Sequence, residues 1–184
     1  MRGAVTRLGA DDLGDVLRLF DAVQAWLIER GFKDQWGELP FSEGELQRER
    51  FGAWLASGRM AGMRLEGFVT GTLVFDLSPP DYAKEAVLGR AAGAYLEAFA
   101  VHRDFPGQGI GTALLGWAGR EALNQNLTTL YLDCWAGNPV LRAYYHRAGF
   151  FETAPLALGA WRGVLFQKTL RAALSSPATP RAKT

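Results

Sequence analysis

The sequence predicts a single α/β domain whose central sheet is mixed and mostly antiparallel, contains one parallel strand pair and is flanked by helices. Three observations lead to this prediction. The chain has 184 residues, which suits one hydrophobic core. Segments with alternating apolar residues follow one another closely near both ends, as in antiparallel hairpins. Between them, a strand, a helix and a further strand form a unit whose strands are expected to be parallel.

The first helix follows a short strand. Residues 4–8 alternate as a strand would, and Asp11 or Asp12 is placed to cap the helix after it. Apolar residues recur at helical spacing from there until Gly31, which ends the helix. The sequence DQWGELPF then predicts a loop, because its glycine and proline disfavour regular structure.

A second helix and a hairpin come next. Ser42, with Glu45 three residues later, forms a capping-box pattern, and the helix that it would start ends at Gly58. Two alternating segments, 59–65 and 67–76, predict an antiparallel hairpin. The stretch SPPDYAKEAVLGRAAG is expected to be a connection without an element of its own.

The parallel unit lies in the middle of the chain. Residues 94–101 alternate, and HRDFPGQGIGTALLGWAGREAL runs from a glycine-rich turn into a helix before the strand TTLYLDC. This order of strand, helix and strand predicts the parallel pair. Strict alternation along the first strand puts Tyr95, Glu97, Phe99 and Val101 on one face, and Leu96, Ala98 and Ala100 on the other.

A short helix and a closing hairpin complete the predicted domain. Asn138 is placed to cap a helix with Pro139 in the favoured first position, and Gly149 ends that helix. Residues 150–154 and 161–170 are expected to pair as an antiparallel hairpin and to complete the sheet.

Composition limits the class of protein. Apolar residues make up 48% of the chain and charged residues 21%, as in an ordinary folded domain. The domain is assigned to residues 1–171, and the polar stretch 172–184, which contains prolines, is expected to be disordered. Twenty basic and nineteen acidic residues nearly cancel, which disfavours nucleic acid as a partner.

The sequence also predicts a location and the absence of a metal. The first residues lack the apolar run of a signal peptide, and no segment reaches the about eighteen apolar residues of a membrane span. A cytoplasmic protein without a membrane partner is therefore expected. The single cysteine, Cys134, is predicted to be a small buried thiol, with a nucleophile as the alternative. His102 and His146 have no ligand partners at metal spacing, so no metal is predicted.

Three glycines, Gly107, Gly109 and Gly111, fall where a strand is followed by a helix. Free backbone N–H groups and the helix dipole make an anion site there, and glycine lets a phosphate approach closely. A dinucleotide fingerprint fails because Thr112 and Leu114 stand where it needs glycine, and a nucleotide-triphosphate loop fails because no lysine follows. A tight turn without a ligand is the alternative.

Two linked motifs favour the phosphate site. VHRDFPGQGIGTALL resembles the acyl-CoA-binding motif Gln/Arg-x-x-Gly-x-Gly/Ala of the GCN5-related N-acetyltransferase (GNAT) family, and NPVLRAYYHRAGF is similar to the Asn-x-x-Ala-x-x-x-Tyr-x-x-x-Gly-Phe motif of that family. Pro106 departs from the first motif and Leu141 from the second. The resemblance implies the GNAT acyltransferase fold over residues 4–170, and an enzyme that acetylates a primary amine from acetyl-CoA by direct attack in a ternary complex.

The resemblance also implies roles for single residues. Tyr145 would donate a proton to the departing thiolate, with the adjacent Tyr144 as the alternative. Acyl transfer needs a neutral amine, and Glu97 is the candidate general base, the alternative being an exposed strand carboxylate. A backbone N–H of residues 99–101 would stabilise the oxyanion. The residues implied to contact the cofactor are Phe99, Ala100, Val101, Gly107, Gln108, Gly109, Ile110, Gly111, Thr112 and Asn138.

The acceptor side of the predicted site is less specified. Trp26, Trp36, Phe41 and Tyr82 are the expected aromatic walls, with core packing as the alternative for Trp26. A small-molecule amine or a peptide N-terminus is the expected acceptor. A non-catalytic acyl-CoA sensor is the rival function, and a nucleotide-binding regulatory domain is a third. Members of the family often dimerise, so a homodimer is one expected assembly, although no apolar stripe marks an interface.

Overall fold

Seven strands form one sheet in the order β1-β2-β3-β4-β5-β7-β6, in a computed structural model that describes residues 3–171. The strands are β1 Val5–Arg7, β2 Met60–Leu65, β3 Phe68–Asp76, β4 Gly93–Val101, β5 Thr129–Trp135, β6 Phe151–Leu158 and β7 Trp161–Thr169. Only β4 and β5 are parallel, and the other neighbours are antiparallel. The predicted mixed sheet with one parallel pair is confirmed. The predicted tail, 172–184, lies outside the described residues.

Helices cover both faces of this sheet. They are α1 Leu13–Glu29, α2 Glu45–Ala56, α3 Lys84–Val87, α4 Ile110–Asn124 and α5 Pro139–Arg147. Neighbouring residues of β3 point to opposite faces. Val74 packs with α1 and α2 on one face. Leu73 and Phe75 pack on the other face, with α4 and with Tyr145 of α5. Among the described residues, no helix has the length and apolar character needed to cross a membrane.

Three local predictions need correction. Ser42 does not cap α2: Gly44 holds that position, and the Ser42 N–H donates to Asp21 Oδ1 at 3.2 Å. The reason is a turn closed by two N–H groups on the Pro40 carbonyl, which keeps Ser42 outside the helix. The stretch expected to be a plain connection contains a 3-10 turn and α3. The first strand of the closing hairpin continues to Leu158, four residues beyond the predicted end.

The strict alternation predicted for β4 is wrong because the strand contains a β-bulge. Its register with β3 shifts between Thr72 and Val74, and Ala98 has a φ of 46°. A bulge inserts one extra residue and therefore exchanges the faces of the residues after it. Phe99 and Val101 accordingly pack with Leu96 on the α4 side, while Ala98 and Ala100 pack with the α1 and α2 cluster.

Beyond the bulge the two parallel strands separate. β4 pairs with β5 only from Gly93 to Leu96, so residues 97–101 of β4 have no β5 partner. Their backbone N–H and C=O groups on that side face a gap in the sheet. The functional residues predicted from the sequence lie around this gap.

Candidate active site

A cleft of about 900 Å³ occupies the gap between β4 and β5. Both strands line it, together with side chains from α1 and α2 on one side and from α4 and α5 on the other. At one end lies the turn 107–112, which we call the glycine end. At the other lie Glu97 and Asp133, which we call the carboxylate end.

The glycine end is built from left-handed backbone and a helix start. Gly107 has a φ of 72°, and Gly109, the N-cap of α4, has a φ of 69°. Residues with a Cβ rarely adopt such angles, and a Cβ at either position would meet no atom of residues 3–171 within 4 Å. The first N–H groups of α4, at residues 110–112, have no acceptor inside the helix. This end of the cleft can therefore bind an anion through backbone donors and the helix dipole.

Gly111 has a different physical reason to be glycine. A Cβ at this position would collide with the Tyr144 hydroxyl and would lie 3.3 Å from Cζ of Phe99. The Phe99 and Tyr144 rings stack with centroids 6.1 Å apart. Gly111 thus lets the start of α4 pack closely against α5 and β4. The sequence pattern alone did not separate this packing role from phosphate approach.

Glu97 lies at the carboxylate end in contact with Arg50 of α2. The Arg50 Nη2 donates to Glu97 Oε2 at 2.5 Å, and the Glu97 side chain is only 10% exposed. Burial raises the pKa of Glu97, the Arg50 guanidinium opposes that rise, and Asp133 and Asp76 add to it. The glutamate is therefore a largely buried carboxylate with increased basicity, and the alternative prediction of an exposed strand carboxylate is wrong.

Asp133 of β5 is a second carboxylate at this end and was not predicted from the sequence. Its Oδ2 accepts hydrogen bonds from the hydroxyls of Tyr82, at 3.0 Å, and Tyr95, at 2.5 Å. Burial raises the pKa of Asp133, while the two tyrosine hydrogen bonds and Arg50 lower it. The available signal was an aspartate as the one charged residue of the strand TTLYLDC, because a charge in a buried strand needs partners.

Tyr145 of α5 projects into the cleft from the middle of the core. The residue is 3% exposed and its ring contacts those of Phe99, Phe150 and Phe166. The side-chain hydrogen bonds of residues 3–171 include none to its hydroxyl, and that part of the chain contains no buried polar side-chain atom without a partner. The hydroxyl therefore reaches the cleft. Burial raises the pKa of Tyr145 well above its ordinary value, so the phenol stays protonated.

Asn138 joins the start of α5 to the loop after α1. Its Oδ1 accepts the Leu141 N–H at 3.0 Å, as expected for the cap, and its Nδ2 donates to Gln35 Oε1 at 2.7 Å. Both Asn138 and Gln35 line the cleft. The cap is confirmed, and a contact between Asn138 and a cofactor stays a prediction.

The aromatic residues predicted for the acceptor side also line the cleft. Trp36 and Phe41 pack around Phe20 with ring centroids 5.3 and 5.2 Å away. Buried Gln24 fixes their loop by donating to three backbone carbonyls, those of Trp36, Gly37 and Leu39. The loop that covers this side is therefore held in place by α1.

Trp26, which lines the cleft, lies against two cations. The guanidinium carbons of Arg30 and Arg103 are 4.1 and 4.2 Å from the centroid of its ring. Burial lowers the pKa of Arg103 and the charge of Arg30 lowers it further. Trp26 thus also makes cation–π contacts. Neither of the two predicted roles, a wall of the acceptor pocket or core packing, included them.

Comparison with known proteins identifies the family. The family model described as the Acetyltransferase (GNAT) family matches residues 20–150 of this chain. The chain belongs to this family. A relative named an uncharacterized N-acetyltransferase, YesJ of Bacillus subtilis (strain 168), is 37% identical over 62 residues. That match spans 34% of this chain and 34% of YesJ, about a third of either protein.

Solved structures of GNAT proteins share the fold of this chain. An acetyltransferase of the GNAT family from Listeria monocytogenes 4b F2365 is similar with a TM-score of 0.68 and 20% identity, over 91% of this chain and 95% of that one. PaiA N-acetyltransferase from Thermoplasma acidophilum in complex with coenzyme A is similar with a TM-score of 0.66 and 14% identity, over 92% of this chain and 99% of that one. At these identities the likeness establishes the fold.

Every site residue predicted for this GNAT protein lines the same cleft. The set comprises Trp26, Trp36, Phe41, Tyr82, Glu97, Phe99, Ala100, Val101, Gly107, Gln108, Gly109, Ile110, Gly111, Thr112, Asn138 and Tyr145. The side chain of Ile110 is buried in the core, so its backbone N–H is the group available to a ligand. Arg50, Arg103 and Asp133 join them without having been predicted.

Cys134 is expected to be inert in the folded protein. It is 5% exposed, and burial followed by the charge of Asp133 raises the pKa of its thiol to about 12. At pH 8 only about one thiol in ten thousand would be ionised, and the thiolate is the reactive form. An aromatic disulfide reagent should therefore react with the protein only after denaturation. Stoichiometric reaction of the native protein within minutes would contradict this assignment.

Proposed function

We propose that this GNAT protein transfers an acetyl group from acetyl-CoA to a primary amine by direct attack within a ternary complex. One observation carries the proposal: a single cleft connects the free N–H groups of the glycine end with Glu97 and Tyr145. Family membership supports the reaction class. The coenzyme A bound to the similar PaiA structure supports the choice of cosubstrate.

The donor half of the cleft has the groups that acetyl-CoA requires. Backbone donors at 107–112 suit the pyrophosphate, and the open space at Gly107 and Gly109 lets it approach. Residues 97–101 of β4 pair with β3 but have no β5 partner, so the backbone groups on their β5 side are free to bind an extended chain such as pantetheine. The acetyl thioester supplies the acyl group.

Three groups of the chain account for the chemistry. Glu97 removes a proton from the acceptor ammonium, directly or through water, so that the nitrogen can attack the carbonyl carbon. A backbone N–H within residues 99–101 donates to the carbonyl oxygen as it becomes negative. The carbon–sulfur bond then breaks, and Tyr145 gives its proton to the departing thiolate. Its raised pKa is compatible with that role because the hydroxyl is protonated at neutral pH.

The pH dependence of the reaction should identify the base. Glu97 acts as its carboxylate, and its pKa is raised above 4.5, so kcat/KM should fall as the pH decreases through that higher value. Glu97→Gln should remove this acidic limb and lower kcat/KM by about 10² to 10³. The increase in kcat/KM with pH that comes from deprotonation of the acceptor's own ammonium should persist in the variant.

The control for this variant is Glu49→Gln, an exposed change on α2. It should retain the profile of the native protein. An unchanged acidic limb in Glu97→Gln would assign that limb to another group, and Asp133 would be the next to test.

Two linked measurements test the proposed function. The first is a calorimetric titration of the protein with acetyl-CoA and with CoA, and the second is thiol release over a panel of amines and peptide N-termini. Binding with amine-dependent thiol release supports the enzyme. Binding without release by any acceptor would favour the acyl-CoA sensor, and the absence of binding would reject both functions.

A further inference from the structure

The cleft carries opposite charge at its two ends. Arg103 and Arg147 line it together with the glycine end, where the N-terminus of α4 adds positive potential. Glu97 and Asp133 line the carboxylate end, where Arg50 is the cation in contact. This polarity matches an anionic cosubstrate at one end and suggests a cationic partner at the other.

Each of the two carboxylates keeps one oxygen for a ligand. Both tyrosine hydroxyls bind Asp133 through Oδ2, and Arg50 binds Glu97 through Oε2. The hydrogen bonds among residues 3–171 include none to Asp133 Oδ1 or Glu97 Oε1. No side-chain oxygen in that part of the chain is both buried and unpartnered, so these two oxygens are accessible, and both residues line the cleft.

Aromatic side chains adjoin the partners of both carboxylates. On the α2 side, the Arg50 guanidinium lies 4.4 Å from the Trp54 ring, and Phe51 contacts Trp54. Beside Asp133, the Tyr82 ring, whose hydroxyl binds that carboxylate, contacts Trp161. A substrate that places a nitrogen between the carboxylates would therefore have its remaining atoms among rings.

Arg50 is not free to bind an acidic substrate. It is paired with Glu97 and stacks on Trp54, and its side chain is 55% exposed at the outer side of the pocket. A carboxylate attached to the acceptor would face Glu97 and Asp133 without an unpaired cation from that side. Like charges within one pocket repel, so the pocket discriminates against acceptors that carry a carboxylate.

We propose that the acceptor is a primary amine with an aromatic or other apolar body and no carboxylate, held as its ammonium between Glu97 and Asp133, with Asp133 as a specificity-determining residue. This inference rests on the proposed function. Glu97 takes the proton for the reaction, whereas Asp133 orients the ammonium. Tyr82 and Tyr95 hold Asp133 in position.

The first test compares three acceptors that share the 2-phenylethylamine skeleton: 2-phenylethylamine itself, phenylalanine amide and phenylalanine, of which the last two match in shape and differ in charge. Initial rates of thiol release with saturating acetyl-CoA should give kcat/KM values that decrease from 2-phenylethylamine to phenylalanine amide to phenylalanine. The value for phenylalanine should be at least about tenfold below that for 2-phenylethylamine. Equal values for the amine and the amino acid would overturn the proposal. So would preference for a short peptide with an N-terminal phenylalanine over 2-phenylethylamine.

The second test separates the charge of Asp133 from its structural hydrogen bonds. Asp133→Asn removes the charge but keeps a carbonyl oxygen for the tyrosines, whereas Tyr95→Phe removes one hydrogen bond and keeps the charge. Asp133→Asn should raise KM for 2-phenylethylamine by about tenfold, leave KM for acetyl-CoA unchanged and reduce discrimination against phenylalanine. Tyr95→Phe leaves the charge and the Tyr82 hydrogen bond in place, so it should raise that KM much less than Asp133→Asn and should keep the discrimination against phenylalanine.

Equal effects of the two variants on acceptor KM would make Asp133 a purely structural residue and overturn its assignment. Failure of this inference is distinguishable from failure of the proposed function. If the native protein releases thiol with other amines but with no apolar monoamine, the acceptor class alone is wrong. If it releases thiol with no amine, the proposed reaction itself is wrong.

Discussion

Replacing Gly109 by aspartate is expected to abolish CoA binding while the domain stays folded. The new carboxylate would project from the N-cap of α4 into the open glycine end, where a Cβ meets no atom of the described residues within 4 Å. A like charge at about 4 Å from a phosphate costs about 4 kcal/mol at an effective dielectric constant of about 20, which is roughly a thousandfold in affinity. Calorimetric titration with CoA measures the loss.

Gly109→Asn is the matched control for this variant. Asparagine has nearly the shape of aspartate and also tolerates the left-handed backbone of φ 69°, but it carries no charge. It should weaken CoA binding far less than the aspartate, and both variants should show the circular dichroism spectrum of the native protein. Undiminished CoA affinity in a folded Gly109→Asp would reject the anion site at the glycine end.

Tyr145→Phe is expected to lower kcat by about 10² to 10⁴ and to leave KM for acetyl-CoA nearly unchanged. The ring contacts with Phe99, Phe150 and Phe166 do not involve the hydroxyl, so phenylalanine should keep the packing. What disappears is the proton that the departing thiolate needs. Steady-state kinetics at saturating amine separates the two constants.

Tyr144→Phe serves as the neighbouring control, because its hydroxyl lies against Gly111 near the start of α4. It should affect KM for acetyl-CoA more than kcat. If Tyr145→Phe changed only acetyl-CoA binding while Tyr144→Phe reduced kcat, the roles of the two tyrosines would be exchanged.

Much of this fold could be predicted from local sequence patterns. Asn138, Pro139 and Gly149 define α5 because capping and positive φ are properties of neighbouring residues. The turn between β2 and β3 has positive φ at Glu66 and Gly67, and the glycine made it visible in the sequence. Such features depend on a few adjacent side chains.

Features that depend on tertiary partners could not be predicted. The bulge at Ala98 has no glycine to mark it in the sequence. It lies where β4 stops pairing with β5 but continues to pair with β3. The position of Asp133 beside Glu97 requires two parallel strands in a fixed register, and its hydroxyl partners come from distant parts of the chain. The Ser42 capping pattern failed because a preceding turn determined where α2 begins.

The most direct test of the central claim is mass spectrometry of a reaction that contains the protein, acetyl-CoA and 2-phenylethylamine together with the wider amine panel. We expect acetylated amine and free CoA to appear in equal amounts, with no acetyl group left on the protein. Absence of any acetylated amine from a protein that binds acetyl-CoA would contradict the claim, and a stable acetyl-protein would contradict direct attack in a ternary complex.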